Sequence, residues 1–251
     1  MKSVKPLFLL LLLALAAGDS FSTPKAKVTK ETIVSDGKKR AYSLFVPEGL
    51  SASKPAPLLV LLHGSWERGS SYVERWKDLA AVEGIILAGP DSKNNKGWAT
   101  PVDGPDFLRD LVESLKAKYP IHPRRVYLFG HSAGAAHSLY MSLFESQYFA
   151  AAAIYAGLLP EQGYRLINLA RRKIPFGIWV GTADPLVPIP AARTTRDKLL
   201  AGGFSVQLTE IPNYDHWYND RASKINKEVW AFLTQHELSE DPQYVQYQFP
   251  K

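Results

Sequence analysis

Short apolar segments alternate with amphipathic segments along most of this chain, and this alternation restricts the possible folds more than any other feature. Residues 58–62 are uninterrupted Leu and Val, as in a strand that is covered on both faces. Further strands are predicted at 85–88, 125–129, 149–155, 176–180 and 205–211. Helices are predicted at 72–82, 106–119, 133–144, 191–201 and 222–235. Five strand–helix alternations predict an α/β fold, with a mostly parallel, twisted sheet and helices on both faces.

An antiparallel hairpin is predicted ahead of this alternation. Residues 28–35 and 41–46 resemble strands, and Asp36-Gly37 between them is a strong turn signal. Polar, Gly- and Pro-rich residues at 92–106 predict a loop insertion, and 158–173 is a short excursion. Because we find no repeat and no dividing linker, we expect residues 28–251 to form one domain.

The first eighteen residues predict a secretory signal peptide. Lys2 and Lys5 precede eleven apolar residues at 7–17, and small residues follow for cleavage after Ala16 or Gly18. Eleven apolar residues are too few for a membrane span, which needs about 20, so no stable membrane anchor is expected. Residues 19–27 are predicted to be a loose tail. The mature protein should therefore be secreted, to the extracellular space or the periplasm.

Composition excludes several other classes of protein. The net charge is +6, from 30 Lys and Arg against 24 Asp and Glu, and these charges are dispersed, so nucleic acid is not an expected partner. There is no cysteine, which excludes disulfides, thiolate metal sites and a cysteine nucleophile. Neither a metal nor a cofactor is predicted, because no His-Glu-x-x-His motif or carboxylate cluster occurs. His63 and His131 are therefore interpreted as structural histidines. Separately, the protein is expected to be a monomer.

One motif predicts a nucleophile. Residues 130–134, Gly-His-Ser-Ala-Gly, match Gly-x-Ser-x-Gly between the predicted strand 125–129 and the predicted helix 133–144. A sharp strand-to-helix turn needs small residues beside its serine and leaves the hydroxyl exposed at the helix N-terminus. Ser132 is therefore the predicted nucleophile. The alternative is a packing turn in which Ser132 only caps the helix.

A serine hydroxyl needs an adjacent base, and His216 is the predicted one. It lies in the polar segment 213–217, after the last strand, at the end of the sheet where open α/β folds bind ligands. His137 lies within the helix that follows Ser132, and His236 lies at the far end of the last helix. Neither is placed to take a proton from the serine.

The base in turn needs an acid that orients it, and Asp184 is the predicted acid. It follows the strand at 176–180, and the order Ser, Asp, His along the chain is the one expected for a nucleophile at such a strand-to-helix turn. Asp197 is predicted to lie on a helix surface. Asp215 adjoins His216, and adjacent side chains rarely make a buried carboxylate–imidazole bond.

Two backbone N–H groups are predicted to form the oxyanion hole. One belongs to Ala133, at the start of the helix after the nucleophile. The other should come from residues 63–66, His-Gly-Ser-Trp, where Gly64 permits close approach of the backbone. Ser65 is the first candidate for this donor, and Trp66 is the second.

Three tryptophans are candidate substrate-binding residues. Trp66 follows the predicted oxyanion turn, Trp98 lies in the loop insertion and Trp217 adjoins the base. All three leave the carboxyl ends of strands, so we expect them to converge around Ser132. Aromatic side chains commonly line ligand pockets and would suit an aromatic acyl group or a sugar ring better than a long lipid chain. Alternatively, each tryptophan only packs its own loop.

These residues together resemble the α/β-hydrolase superfamily. The resemblance is carried by His63-Gly64, residues 130–134, Asp184 and His216. Within the superfamily, the chain is similar over about residues 30–235 to secreted esterases grouped with polyhydroxybutyrate depolymerases and feruloyl esterases. The segments that carry this second resemblance are Pro90-Asp91, Trp98, Asp106-Phe107-Leu108 and Pro123 to Tyr127. The resemblance implies an α/β-hydrolase fold.

The expected function is therefore that of a secreted serine hydrolase. It would cleave a small-molecule or polymer-linked carboxylic ester through an acyl-enzyme intermediate on Ser132. A serine peptidase of the same superfamily is the first alternative, although the short excursion at 158–173 favours esters. A non-catalytic binding protein on a hydrolase scaffold is the second alternative, and the complete set of Ser132, Asp184 and His216 argues against it.

Overall fold

In the computed structural model, which describes residues 27–244, eight strands form one sheet. The strands are β1 (Thr29–Ser35), β2 (Lys38–Phe45), β3 (Ala56–Leu62), β4 (Ile86–Pro90), β5 (Ile121–His131), β6 (Ala151–Tyr155), β7 (Phe176–Gly181) and β8 (Val206–Ile211). The helices are α1 (Gly69–Glu83), α2 (Pro105–Lys116), α3 (Ala133–Phe144), α4 (Tyr164–Leu169), α5 (Ile189–Ala201) and α6 (Ala222–Leu233). The strand order is β1-β2-β4-β3-β5-β6-β7-β8.

The sheet has an antiparallel edge and a parallel body. Strand β1 pairs antiparallel with β2, and β2 pairs antiparallel with β4, whereas all the remaining neighbours are parallel. Asp36 and Gly37 both have positive φ angles, 48° and 67°, as a tight two-residue hairpin turn requires. The predicted hairpin and the mostly parallel sheet are therefore confirmed.

Strand β3 shows why the sheet is covered on both faces. Its side chains alternate between two apolar clusters, with Leu58, Val60 and Leu62 in one and Leu59 and Leu61 in the other. Helices α2, α3, α4 and α5 contribute to the first cluster, and α1 and α6 contribute to the second. Each fully buried side chain of this kind stabilises the fold by about 1.5–3 kcal/mol.

Two helices differ from the predictions. Helix α1 begins at Gly69 rather than at residue 72, because the Asp91 carboxylate accepts a hydrogen bond from the Gly69 N–H (2.9 Å) and caps the helix from a distant loop. The excursion 158–173 contains the short helix α4, which buries Leu166 and Ile167.

A buried ion pair organises the loop between β4 and α2. The carboxylate of Asp103 pairs with Arg40 and also accepts hydrogen bonds from the backbone N–H groups of Lys93 and Ala99. The Arg40 guanidinium in turn stacks 3.6 Å from the ring centroid of Phe107. Both charged side chains are almost fully buried, so each needs the other. The loop predicted at 92–106 is therefore fixed by this ion pair and its hydrogen bonds, which hold Trp98 in place.

The predicted signal peptide, residues 1–18, lies outside the described residues, as do residues 19–26 of the predicted tail. None of the helices within residues 27–244 is long and apolar enough to cross a membrane.

Candidate active site

Ser132 occupies a strained turn between β5 and α3. Its φ angle is 53° and its ψ angle is −117°, a conformation that residues with a side chain rarely adopt. The turn also brings backbones unusually close together. A Cβ atom on Gly134 would lie 2.0 Å from the backbone oxygen of Leu62, and one on Gly130 would lie 2.2 Å from the backbone oxygen of Gly134. Gly134 therefore lets the first turn of α3 pack against the end of β3, and Gly130 lets the same turn pack against the end of β5.

The structure brings Ser132, His216 and Asp184 together in one chain of hydrogen bonds. Nε2 of His216 lies 2.8 Å from Oγ of Ser132, and Nδ1 of His216 lies 2.9 Å from Oδ2 of Asp184. A carboxylate only accepts hydrogen bonds, so Nδ1 carries a proton, and Nε2 of the neutral ring is free to accept one from the serine. The side chain of His216 is 2% exposed and that of Asp184 is fully buried.

The Asp184 carboxylate is held by its own loop as well as by His216. Its Oδ1 atom accepts hydrogen bonds from the N–H groups of Leu186 and Val187, both at 2.8 Å. These donors fix the plane of the carboxylate and offset the cost of burying it. Asp215, the neighbouring acid, instead accepts a hydrogen bond from the Trp217 N–H. The carboxylate that faces Nδ1 of His216 is that of Asp184.

The two candidates for the second oxyanion donor, Ser65 and Trp66, lie in a tight turn after β3. Glu67 donates its N–H to the backbone oxygen of Gly64 (3.2 Å) and so closes the turn. Trp66, in the third position, has a φ angle of 67°, which is costly for a bulky residue. Its N–H is occupied by the backbone oxygen of Asn95, whereas neither Ser65 nor Ala133 directs its N–H to an acceptor within residues 27–244. Of the two candidates in this turn, Ser65 has the available donor.

His63 and Trp98 support this turn from behind. Nδ1 of His63 donates to the Gly64 oxygen (2.7 Å), because its Nε2 accepts from the Ser92 N–H (3.1 Å). Burial lowers the pKa of His63 and so favours this neutral form. Trp98 donates its indole N–H to the His63 oxygen at 2.8 Å. Its ring lies between the rings of His63 and His137, with centroids 4.8 and 5.1 Å away.

The other two candidate tryptophans are solvent-exposed. Trp66 is 67% exposed and Trp217 is 56% exposed, in contrast to the partly buried Trp98. Trp217 meets the ring of His216 edge-on at 5.2 Å, which places it beside the predicted base. Trp66 meets the amine of Lys96 at 5.4 Å. A bulky apolar side chain held in solvent by a strained backbone is a candidate for contact with a ligand.

The remaining buried histidines have structural partners. Nε2 of His137 donates to the backbone oxygen of Asp103 (2.7 Å), and burial lowers the pKa of His137 to about 4. His131 lies between the hydroxyl of Tyr72 and the backbone oxygen of His216. Within residues 27–244, no cluster of three or more His, Asp or Glu side chains could hold a metal ion.

Glu67 and Tyr72 also lie within the site, although no sequence motif predicts a role for either residue. The Tyr72 hydroxyl contacts both Glu67 and His131. The one local sequence feature that points to this pair is the charged Glu67, three positions after His63-Gly64. The position of Tyr72 in the helical pattern predicts only that its side chain is buried.

The sheet order, with Ser132 at a strand-to-helix turn and Asp184 and His216 after β7 and β8, is that of an α/β-hydrolase. The chain belongs to the alpha/beta hydrolase family, whose sequence model matches residues 59–244. The fold and the superfamily resemblance predicted from the sequence are thereby confirmed.

The similar proteins include esterases and a depolymerase. The chain is 30% identical over 183 residues to the candidate esterase NocK of Nocardia uniformis subsp. tsuyamanensis, across 67% of this chain and 52% of that protein. It is 34% identical over 125 residues to poly(3-hydroxyalkanoate) depolymerase C of Paucimonas lemoignei, across 45% of this chain and 30% of that protein. The chain thus spans about half the length of the first relative and under a third of the second.

The structure is also similar to that of a ferulic acid esterase. The TM-score is 0.69 at 19% identity, and the match covers 84% of this chain and 98% of the other. At this level of identity the comparison shows a shared fold. The two proteins have nearly the same fold across the whole of the esterase.

Proposed function

We propose that this protein is a secreted serine hydrolase that cleaves carboxylic esters. The observation that carries the proposal is the chain of hydrogen bonds from Oγ of Ser132 through His216 to the buried Asp184 carboxylate. Such a chain activates a hydroxyl that is otherwise a weak nucleophile. The predicted signal peptide at residues 1–18 supports secretion. Cell fractionation with and without these residues tests that part of the proposal.

In the proposed reaction, His216 takes the proton of Ser132 as Oγ attacks the ester carbonyl. The oxyanion of the tetrahedral intermediate accepts hydrogen bonds from the N–H groups of Ala133 and Ser65. Neither N–H group has another acceptor within residues 27–244. His216 then returns the proton to the alcohol as the carbon–oxygen bond breaks, which leaves an acyl group on Ser132. Water, deprotonated by the same histidine, releases the acid and regenerates the serine.

The surroundings of the site favour a polar substrate over a long lipid chain. A cleft of ≈ 580 Å³ lies beside the oxyanion turn, and its walls are polar and charged. Its lining residues are His63, Glu67, Arg68, Asp91, Ser92, Lys93, Asn94 and Asn95. The exposed Trp66 lies between two of these segments. Hydrogen-bonding walls beside an exposed indole suit a hydroxylated or aromatic group, on either side of the ester bond.

A panel of matched esters and amides tests this proposal against the peptidase alternative. We expect turnover of acetyl and aryl-acid esters, and little turnover of the amides of the same acids. The excursion 158–173 contains one 3₁₀ turn and the short α4, and so offers little structure for selecting a peptide. Higher kcat/KM for the amides would favour a peptidase. Absence of both turnover and fluorophosphonate labelling would favour a binding protein.

Trp98→Ala tests whether this tryptophan contacts the acyl group. We expect KM for aryl-acid esters to rise several-fold and KM for acetyl esters to change little, because only the larger acid would reach the indole. Steady-state kinetics on the two ester series measure the difference. Equal effects on both series would show that Trp98 acts only through its hydrogen bond to the His63 oxygen.

Trp98→Phe is the matched control for that bond. It keeps an aromatic ring between His63 and His137 but removes the indole N–H donor. We expect it to retain most of the preference for aryl acids.

A further inference from the structure

Three polar side chains outside the Ser132–His216–Asp184 chain form a second, continuous chain of hydrogen bonds. The hydroxyl of Tyr72, on α1, donates its one proton to the Glu67 carboxylate, so its oxygen accepts a hydrogen bond from Nδ1 of His131, 2.6 Å away. Nε2 of His131 lies 3.0 Å from the backbone oxygen of His216 and donates to it, since a carbonyl oxygen only accepts. These side chains lie in three separate elements: the oxyanion turn, α1 and the end of β5.

This second chain joins the two halves of the candidate active site. At one end, Glu67 closes the oxyanion turn through its own N–H, and the Gly64 N–H also points to the Tyr72 hydroxyl (3.4 Å). At the other end, His131 contacts the backbone of the base, and the ring centroids of His131 and His216 are 5.1 Å apart. The oxyanion turn and the loop of His216 are thus tied together through side chains.

Charge keeps Glu67 in the form that accepts these hydrogen bonds. Burial alone would raise its pKa, but hydrogen bonds with His131 and Tyr72 and the charge of Arg75 outweigh burial and hold the pKa at about 2. Arg75 places both of its terminal nitrogens 3.3 Å from Oε1 of Glu67. Tyr72 is buried and His131 is 2% exposed, so little water competes at that end of the chain, whereas the Glu67 side chain is 22% exposed at the cleft.

We propose that Glu67, Tyr72 and His131 form a positioning relay that fixes the oxyanion turn relative to His216. The relay rests on the proposed function, since it matters only if His216 is the base and the turn binds the oxyanion. In this role its members act on the turn and on the base rather than on the reacting atoms. They act by fixing the distance between the oxyanion N–H donors of the turn and His216. A displacement of about 1 Å in such groups can reduce the rate of catalysis about 100-fold.

Tyr72→Phe is the main test, with Tyr218→Phe as its matched control. Tyr218 stacks on Tyr72, with centroids 5.9 Å apart, and is equally buried, but its hydroxyl lies outside the relay. Both changes remove one buried hydroxyl from the same aromatic cluster. We expect Tyr72→Phe to lower kcat for an aryl ester about 10- to 100-fold with KM within about two-fold of wild type. Tyr218→Phe should leave both constants close to wild type.

Thermal unfolding of the two variants separates positioning from stability. We expect Tyr72→Phe to have the lower Tm, because its hydroxyl bonds to Glu67 and His131, whereas the Tyr218 hydroxyl has no partner within residues 27–244. Rates are therefore compared at a temperature at which both variants are fully folded. If kcat of the folded protein changes equally in both variants, the relay is wrong and the hydroxyl of Tyr72 only supports the fold.

Rescue at His131 gives a second test. Glutamine can present an N–H group near the position of Nε2 and so donate to the His216 oxygen, whereas leucine cannot. We expect His131→Gln to retain a higher kcat than His131→Leu at comparable KM. Equal losses in two folded variants would overturn the role assigned to this bond.

A spectroscopic measurement tests the relay even if the wild-type protein hydrolyses no ester. In a ¹⁵N-histidine-labelled protein, the Nδ1–H signal of His216 should shift in Tyr72→Phe and stay in place in Tyr218→Phe. An inactive wild type in which this shift occurs would count against the proposed function and support the relay. An active wild type without the shift, and with normal kcat in Tyr72→Phe, would count against the relay alone.

Discussion

Ser132→Ala is expected to abolish nearly all turnover, lowering kcat for a soluble aryl ester by at least about 10⁴-fold. The change removes the oxygen that lies 2.8 Å from Nε2 of His216, and with it the route through an acyl-enzyme. The fold should persist, because the backbone bond from the Ser132 N–H to the Tyr155 oxygen does not need the hydroxyl. Initial rates, far-UV circular dichroism and Tm together measure the effect.

Fluorophosphonate labelling gives the same prediction a chemical readout. Mass spectrometry of the labelled wild type should place the adduct on Ser132, and Ser132→Ala should not be labelled. Ser138→Ala is a suitable control, since Ser138 is a fully buried serine of the helix that follows Ser132 and has no part in the proposed reaction. It should retain both turnover and labelling. Near-normal turnover in Ser132→Ala would end the proposal that this serine is the nucleophile.

The positions of the candidate catalytic residues could be predicted because each depends on local sequence and on one general rule. Ser132, Asp184 and His216 each follow a strand that is recognisable by its apolar run. The carboxyl ends of parallel strands meet at one edge of the sheet. The rule brings residues 84 positions apart in the chain together, and the 2.8 Å contact between Ser132 and His216 agrees with it. No property of either residue alone would have placed them side by side.

Other features of the site could not be predicted, because they depend on contacts between distant segments. Helix α1 begins at Gly69 because Asp91, 22 residues later, caps it. Tyr72 meets His131 across 59 residues, and its spacing in α1 only indicates a buried position. Trp98 was predicted to face the substrate, yet its indole N–H has a partner in the His63 oxygen that no local pattern reveals. Periodicity predicts which side chains are buried, but not which polar atoms they meet.

Asp184→Asn is expected to lower kcat by about 10⁴-fold while disturbing the fold far less. In the wild type, Oδ1 accepts hydrogen bonds from the N–H groups of Leu186 and Val187, and Oδ2 faces Nδ1 of His216 at 2.9 Å. The asparagine oxygen should take the Oδ1 position, because only an acceptor satisfies those two donors. The amide nitrogen must then face His216 and donate to Nδ1. That bond places the histidine proton on Nε2, where the ring can no longer accept the proton of Ser132.

Asp215→Asn separates this tautomer effect from a loss of negative charge near the base. Asp215 adjoins His216, but its carboxylate accepts a hydrogen bond from the Trp217 N–H (2.9 Å), a bond that an amide oxygen can also accept. Both variants remove one unit of charge from the same region, so a purely electrostatic effect would lower kcat in both. We expect a large loss in Asp184→Asn and little change in Asp215→Asn, with similar Tm values in both. If Asp184→Asn kept kcat within about ten-fold of wild type, the carboxylate would not be orienting the base, because the proposed mechanism needs the proton on Nδ1.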